Sequence, residues 1–423
     1  MSVPRQDAKR PDLAALDAAI RHNVGKTLLR FNTCGSVDDG KSTLIGRLLY
    51  ESKALFDDQL AALAADSKRV GTRPGELDFA LLLDGLSAER EQGITIDVAY
   101  RFFSTERRNF IVADTPGHEQ YTRNMVTGAS TADLSVILVD ARKGVLTQTR
   151  RHSVLVWLLG IRHVVLVVNK MDLVDHAQDV FAKIQADCNQ LAAEIGLPEM
   201  TCIPVSAVKG DNIVQRSAAM PWYEGPTLMQ LLDTVEIDEG GVQEQPLRLP
   251  IQWVNRPNQD FRGFAGTIVA GRLRKGDAVR VLPSGRVSRI ERIVTFDGDL
   301  AEAVAGQSIT VTVNDEIDIS RGDLMVAADN PAEIADQFEA TIVWMNEAPL
   351  LRGRSYLMKI GTRTATATIS PLKYKINMNT LEHLAATTFE LNDIGVANLQ
   401  IDRPIAFDPY QVNRDTGAFI LID

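Results

Sequence analysis

The segment from Gly35 to Ser42 constrains the fold of this chain more than any other feature. It reads Gly-Ser-Val-Asp-Asp-Gly-Lys-Ser and matches the phosphate-loop pattern G-x-x-x-x-G-K-[ST]. Residues 27–33 before it predict a strand, and residues 42–50 after it predict a helix. A loop in this position can direct backbone N–H groups and a helix N-terminus at phosphate oxygens. The segment therefore predicts a P-loop nucleotide-binding domain of the α/β class, with a doubly wound, mostly parallel sheet.

The residues of this loop, and Thr43 directly after it, are expected to bind the phosphates of the nucleotide. Lys41 is predicted to reach the β- and γ-phosphates, and the Ser42 hydroxyl to bind Mg²⁺. The two glycines allow the backbone geometry that close approach requires. The predicted phosphate-binding residues are Gly35, Ser36, Val37, Asp38, Asp39, Gly40, Lys41, Ser42 and Thr43.

A second motif, Asp114-Thr115-Pro116-Gly117-His118, follows the apolar run 110–113. Asp114 is predicted to hold a Mg²⁺-bound water, and the Gly117 N–H to bond a γ-phosphate oxygen. His118 is the candidate catalytic residue, because it can orient the attacking water. The alternative for His118 is an ordinary histidine of a surface loop.

Thr95 is the candidate second protein ligand of Mg²⁺, together with Ser42. A segment held only by the metal and the γ-phosphate would be released by hydrolysis. The alternative is a threonine at the start of an ordinary strand, because residues 94–100 alternate like one.

Two motifs predict that the base is guanine. The apolar run 164–168 ends at Asn169-Lys170-Met171-Asp172, and the run 202–205 ends at Ser206-Ala207. Asp172 can accept hydrogen bonds from guanine N1–H and the N2 amine, which adenine cannot supply. The side chain of Lys170 can cover the base, and Asn169 can hold neighbouring loops together. A backbone N–H of Ser206-Ala207 can donate a hydrogen bond to guanine O6. GTP rather than ATP is therefore the expected nucleotide.

Composition is that of an ordinary globular protein, with 45% hydrophobic and 24% charged residues. The formal net charge of −10 argues against broad binding of nucleic acid. The three scattered cysteines favour a reducing compartment. Neither a secretory signal nor an apolar run of about 20 residues is visible, so we expect a cytoplasmic protein without membrane contact.

The chain divides into three predicted domains. Residues 1–238 form the GTP-binding P-loop domain, in which strands ending at motifs alternate with helical stretches. Beyond the Gly- and charge-rich stretch 236–246, short β runs with close turns predict two antiparallel β-barrels, at 239–332 and 333–423.

The motifs together carry a family resemblance. Residues 25–423 resemble translational GTPases of the elongation-factor-Tu type. Two stretches, 93–103 and 114–130, resemble more particularly the large, GTP-hydrolysing subunit of bacterial heterodimeric ATP sulfurylases (sulfate adenylyltransferases).

The resemblance implies that GTP hydrolysis drives synthesis of adenylyl sulfate from ATP and sulfate. The chain has no Ser-Gly-Gly-x-[DS] pyrophosphate loop for ATP. The adenylyl transfer site is therefore expected on a small, ATP-binding partner subunit. The alternative is a translation elongation factor that carries aminoacyl-tRNA, because a shared fold does not separate the two functions.

Overall fold

The structure is a computed structural model that describes residues 26–55, 57–70, 77–82, 95, 97–197, 200–237, 239–259 and 261–423. Two compact units divide the chain after Ile237. The first unit contains all of the predicted nucleotide motifs. The second consists mainly of strands.

A six-stranded sheet forms the centre of the first unit. Its strands are β1 (Thr27–Gly35), β2 (Ala99–Ser104), β3 (Arg108–Asp114), β4 (Leu134–Asp140), β5 (His163–Asn169) and β6 (Thr201–Pro204). Their spatial order is β2-β3-β1-β4-β5-β6, and only β2 runs antiparallel to its neighbour. Every residue of β4 is buried, as expected for a parallel strand covered on both faces.

Helices and short 3₁₀ turns connect these strands. The described helices of this unit are α1 (Lys41–Glu51), α2 (Asp57–Val70), α3 (Thr122–Ala129), α4 (Thr147–Leu158), α5 (Gln178–Ile195) and α6 (Leu228–Thr234). The 3₁₀ turns are Phe79–Leu82, Glu119–Tyr121 and Met171–Val174. Because β1, β3, β5 and β6 each lead into a predicted motif, their carboxyl ends bring those motifs to one edge of the sheet.

The described residues of the second unit, 239–259 and 261–423, form β7 to β24 and two short helices. The strands are β7 (Arg248–Pro250), β8 (Trp253–Asn255), β9 (Gly263–Thr267), β10 (Arg272–Arg274), β11 (Ala278–Leu282), β12 (Arg286–Thr295), β13 (Gly298–Leu300), β14 (Glu302–Val304), β15 (Ser308–Val313), β16 (Leu324–Ala327), β17 (Glu333–Val343), β18 (Leu350–Leu351), β19 (Ser355–Ile360), β20 (Arg363–Ile376), β21 (His383–Leu384), β22 (Thr388–Phe389), β23 (Ile394–Phe407) and β24 (Phe419–Ile422). The helices are α7 (Glu239–Glu244) and α8 (Arg414–Gly417).

Two large antiparallel sheets organise these strands. One has the order β7-β16-β11-β12-β15-β9-β8, with β13 beside β12. The other has the order β17-β23-β20-β19-β24, with β21 beside β20. Each has its own apolar core, centred on residues such as Phe264 and Val281 in the first and Met358 and Phe389 in the second. Strand β19 alternates exposed and buried residues, because one face of its sheet covers the core.

These observations confirm the predicted fold class, an α/β domain with a mostly parallel sheet followed by antiparallel β domains. The division of the β region at residues 332 and 333 stays a prediction. No helix within the part of the chain that the structure describes is long and apolar enough to cross a membrane.

Candidate nucleotide-binding site

The phosphate loop is held in shape by its own side chains. The Ser36 N–H donates to Asp39 Oδ2 at 2.6 Å, and the ammonium group of Lys41 donates to Gly35 O at 3.1 Å and Ser36 O at 2.8 Å. Lys41 is only 6% exposed, and burial lowers its pKa although Asp114 and Asp39 act against this. The loop therefore keeps a buried lysine at the start of α1, as phosphate binding requires.

A cluster of oxygen atoms lies beside this lysine. Ser42 Oγ donates to Asp114 Oδ2 at 2.8 Å and lies 3.5 Å from Thr95 Oγ1. Thr33 Oγ1 donates to the other carboxylate oxygen of Asp114, Oδ1, at 3.1 Å. Hydroxyl and carboxylate oxygens are the ligands that Mg²⁺ prefers. The residues predicted for the metal and its bound water thus lie together, and their chemistry fits this ion.

Gly117 packs against the phosphate loop where no side chain fits. A Cβ at this position would lie 2.6 Å from both Gly35 O and Lys41 Nζ. The next residue, His118, is exposed and lines the same cavity as Lys41 and Thr95. Its Nδ1 accepts from the Gln120 N–H at 3.3 Å. The imidazole is therefore part of the wall of this cavity.

Hydrogen bonds join the guanine motifs to each other and to the phosphate loop. Asn169 Nδ2 donates to Asp39 O at 2.8 Å, and Asn169 Oδ1 accepts from the Ala207 N–H at 3.0 Å. Ser206 Oγ donates to Asp172 Oδ1 at 2.6 Å. Because the Ala207 N–H already has an acceptor, guanine O6 would share this donor or use the following amide, that of Val208.

Asp140 is a member of the site that sequence reasoning missed. It ends β4 and accepts from Lys170 Nζ at 2.9 Å and from Arg142 Nη2 at 2.6 Å. Burial alone would raise the pKa of Asp140, but these hydrogen bonds hold it below its usual value. Lys170 Nζ also donates to Asp38 O. A carboxylate at the carboxyl end of the apolar run 134–139 was the signal that could have identified this residue.

Most of the predicted site residues line one cavity. It is lined by Val37, Asp38, Gly40, Lys41, Ser42, Thr43, Leu77, Asp78, Phe79, Ala80, Thr95, Gly117, His118, Asn169, Lys170, Asp172, Ala207 and Val208. The other predicted residues do not line it and instead bond to residues that do: Gly35, Ser36, Asp39, Asp114 and Ser206. Residues 77–80 were not predicted, because nothing in their sequence marks them as nucleotide contacts.

Comparisons with known proteins agree with this architecture. Residues 26–238 match the family model of the elongation factor Tu GTP-binding domain. Residues 265–326 match that of elongation factor Tu domain 2, and residues 337–423 match the model described as GTP-eEF1A C-terminal domain-like. The fold and site thus define a GTPase of the elongation-factor-Tu class, which binds guanine nucleotide.

Comparison with curated proteins identifies the family more specifically. The chain is 58% identical to the bifunctional enzyme NodQ of Rhizobium sp. (strain N33), over 94% of this chain and 62% of the relative. It is 56% identical to sulfate adenylyltransferase subunit 1 of Aliarcobacter butzleri (strain RM4018), over 96% of this chain and 87% of the relative. It is 55% identical to the protein of that name from Francisella tularensis subsp. novicida (strain U112), over 96% and 86%.

The chain belongs to the family of sulfate adenylyltransferase subunit 1. It spans less than two thirds of the length of bifunctional relatives such as NodQ.

Proposed function

We propose that this chain is the GTP-hydrolysing subunit of a sulfate adenylyltransferase, and that GTP turnover drives formation of adenylyl sulfate from ATP and sulfate. The observation that supports this most is the grouping of Ser42, Thr95 and Asp114 next to the buried Lys41. Lys41, Ser42 and Thr95 line one cavity with Asp172. Relatives named sulfate adenylyltransferase subunit 1 support the coupled reaction.

In this proposal the protein binds and orients GTP, and a water molecule carries out the attack. The water oxygen bonds to the γ-phosphorus while the bond to the β–γ bridging oxygen breaks, which yields GDP and inorganic phosphate. His118 orients that water, and Lys41 and the Gly117 N–H bind the phosphate oxygens whose charge grows. Mg²⁺, held by Ser42 and Thr95 with Asp114 behind a bound water, would neutralise charge on the β- and γ-phosphates.

Guanine selection rests on Asp172. Its carboxylate accepts from the base, while Ser206 holds one of its oxygens at 2.6 Å. Lys170, oriented by Asp140, covers the base. Asn169 bonds both the phosphate loop and the guanine-binding loop and so fixes their relative positions.

The adenylyl transfer site then lies on a small, ATP-binding partner subunit in the cytoplasm. The decisive experiment purifies the chain with its native partner and measures sulfate-dependent pyrophosphate release with and without GTP. Faster release with GTP is expected. Release that does not respond to GTP would overturn the coupled function.

The carrier function, delivery of aminoacyl-tRNA, has less support. The curated relatives at 54–58% identity carry sulfate adenylyltransferase, NodQ or CysN/CysC names, and the net charge of −10 does not favour nucleic acid. Copurification of tRNA with the purified chain would favour the carrier instead.

A further inference from the structure

The guanidinium group of Arg47 contacts two segments that form walls of the nucleotide cavity. The first wall is the loop at Val208, and the second is residues 77–80. Arg47 lies on α1, two turns from the phosphate loop, and its side chain is 17% exposed. Nη1 donates to Val208 O at 3.1 Å and Nη2 to Lys209 O at 3.4 Å. These carbonyls belong to the loop that continues from the base-reading Ser206 and Ala207. One side of the guanidinium thus holds the guanine loop from outside the cavity.

The same guanidinium packs on the turn at Phe79–Leu82. Its Cζ lies 5.3 Å from the centroid of the Phe79 ring, within the range of a cation–π interaction. Phe79 is 4% exposed, and its ring lies 5.2 Å from that of Tyr50 on the same helix as Arg47. The second wall, residues 77–80, is therefore attached to α1 through this aromatic contact.

Two glycines make room for these contacts. A Cβ at Gly46 would overlap the carbonyl oxygen of Phe79, and a Cβ at Gly210 would overlap Nη2 of Arg47. Gly210 also has φ +84, which disfavours a side chain. Glu51, one turn further along α1, accepts from Arg47 Nε at 2.8 Å and orients the guanidinium. The contacts of Arg47 thus connect three elements, namely α1, the turn Phe79–Leu82 and the loop 206–210.

We propose that Arg47 is a positioning residue for guanosine recognition, which fixes the O6-reading loop and the 77–80 wall relative to the phosphate loop. The inference rests on the proposed binding of guanine nucleotide in this cavity. An arginine suits the task, because its planar fork can bond two carbonyls and stack on a ring, whereas a lysine ammonium acts as a point charge. The donors of Arg47 bond the loop at Val208 and Lys209, whereas Asp172 lies on a separate segment, the turn Met171–Val174.

The test is equilibrium binding of GDP, 6-thio-GDP and IDP to the full chain and to its Arg47→Ala variant. 6-thio-GDP replaces O6 by sulfur, a weaker acceptor, and IDP lacks only the N2 amine that Asp172 reads. We expect GDP affinity to fall about 10- to 100-fold, as for loss of hydrogen bonds from a charged group. The preference for GDP over 6-thio-GDP should shrink, whereas the preference over IDP should stay near the wild-type ratio.

Two further variants keep the test decisive. Arg47→Lys preserves the charge and protects folding, and we expect it to lose GDP affinity in the same direction. Arg69→Ala removes an exposed arginine on α2 and should bind all three nucleotides like the wild type. Wild-type affinities and ratios in folded Arg47→Ala and Arg47→Lys would overturn the inference. Failure of the wild-type chain itself to bind GDP would instead overturn the proposed function.

Discussion

At the scale of single residues, we expect the choice of base to depend on the Asp172 carboxylate. Asp172→Asn replaces this predicted guanine acceptor by an amide that can also donate. We expect weaker GTP binding and a shift toward xanthosine nucleotides, whose C2 oxygen can accept from the amide. Competition binding with GTP and XTP measures the shift, and Asp175→Asn, at an exposed position three residues away, is the matched control. An unchanged preference for GTP would contradict the role of Asp172.

We expect the rate of GTP hydrolysis to depend on His118, because it lies beside Gly117 and lines the cavity. His118→Ala is expected to preserve GTP binding and to lower the single-turnover rate of hydrolysis by roughly 10²–10⁴-fold. The measurement uses the chain with its partner subunit. His383→Ala, an exposed histidine in the second unit, should hydrolyse GTP at the wild-type rate. Near-normal hydrolysis by His118→Ala would indicate that His118 is an ordinary surface histidine.

His152 makes stability depend on pH. Burial lowers its pKa from 6.5 to about 3, so between these values the unfolded chain binds a proton that the folded chain does not. The folded state therefore loses stability as pH falls from 6.5 toward 3, by up to roughly 1.4 kcal/mol per pH unit. Burial raises the pKa of Asp39 to about 6, which acts in the opposite direction between 3.8 and 6.

The effect of His152 is isolated by comparing His152→Gln with the wild type, because Asp39 is present in both. We expect Tm to fall less between pH 7.5 and pH 5 in the variant than in the wild type. Parallel Tm profiles of the two proteins would show that His152 does not set the pH dependence.

At the scale of secondary-structure elements, one ion pair fastens the His118 segment to α4. Arg151 Nη1 lies 2.5 Å from Glu119 Oε1, and Glu119 directly follows His118. Charge reversal of either partner, Glu119→Arg or Arg151→Glu, sets like charges against each other. We expect each single variant to hydrolyse GTP more slowly with GDP affinity unchanged, and the double variant to regain much of the rate. Equal rates in all four proteins would exclude this coupling.

Local sequence patterns predicted some elements of the site but not others. Apolar runs that end in polar motifs predicted β3, β5 and β6 and the side of the sheet that binds nucleotide, because chain order and strand direction bring those ends together. The wall at 77–80 was not predictable in this way. It lines the cavity and packs on α1, where Phe79 contacts Gly46, and these segments are separated by more than 30 residues.

At the scale of the whole molecule, a buried ion pair joins the two sheets of the second unit. Arg248 on β7 bonds Asp408, just after β23, at 2.8 and 3.0 Å, and each side chain is 8% exposed. Arg248→Met leaves a buried carboxylate unpaired and should destabilise the second unit by about 3–5 kcal/mol. Replacement of both partners by Met and Leu should recover much of this loss. Denaturant unfolding measures both variants; equal stability of Arg248→Met and wild type would contradict the role of the pair.

Sequence by itself determined the class of chemistry, because the phosphate loop, Asp114, Gly117 and the Asn169–Asp172 motif are local patterns in which backbone geometry and residue type suffice. The tertiary structure alone decided which unremarkable residues support them. Arg47, Asp140 and Phe79 are common residue types without a motif, and their partners are distant in sequence. Such roles arise only when packing removes water and fixes two distant segments at hydrogen-bonding distance, which no local pattern of residues records.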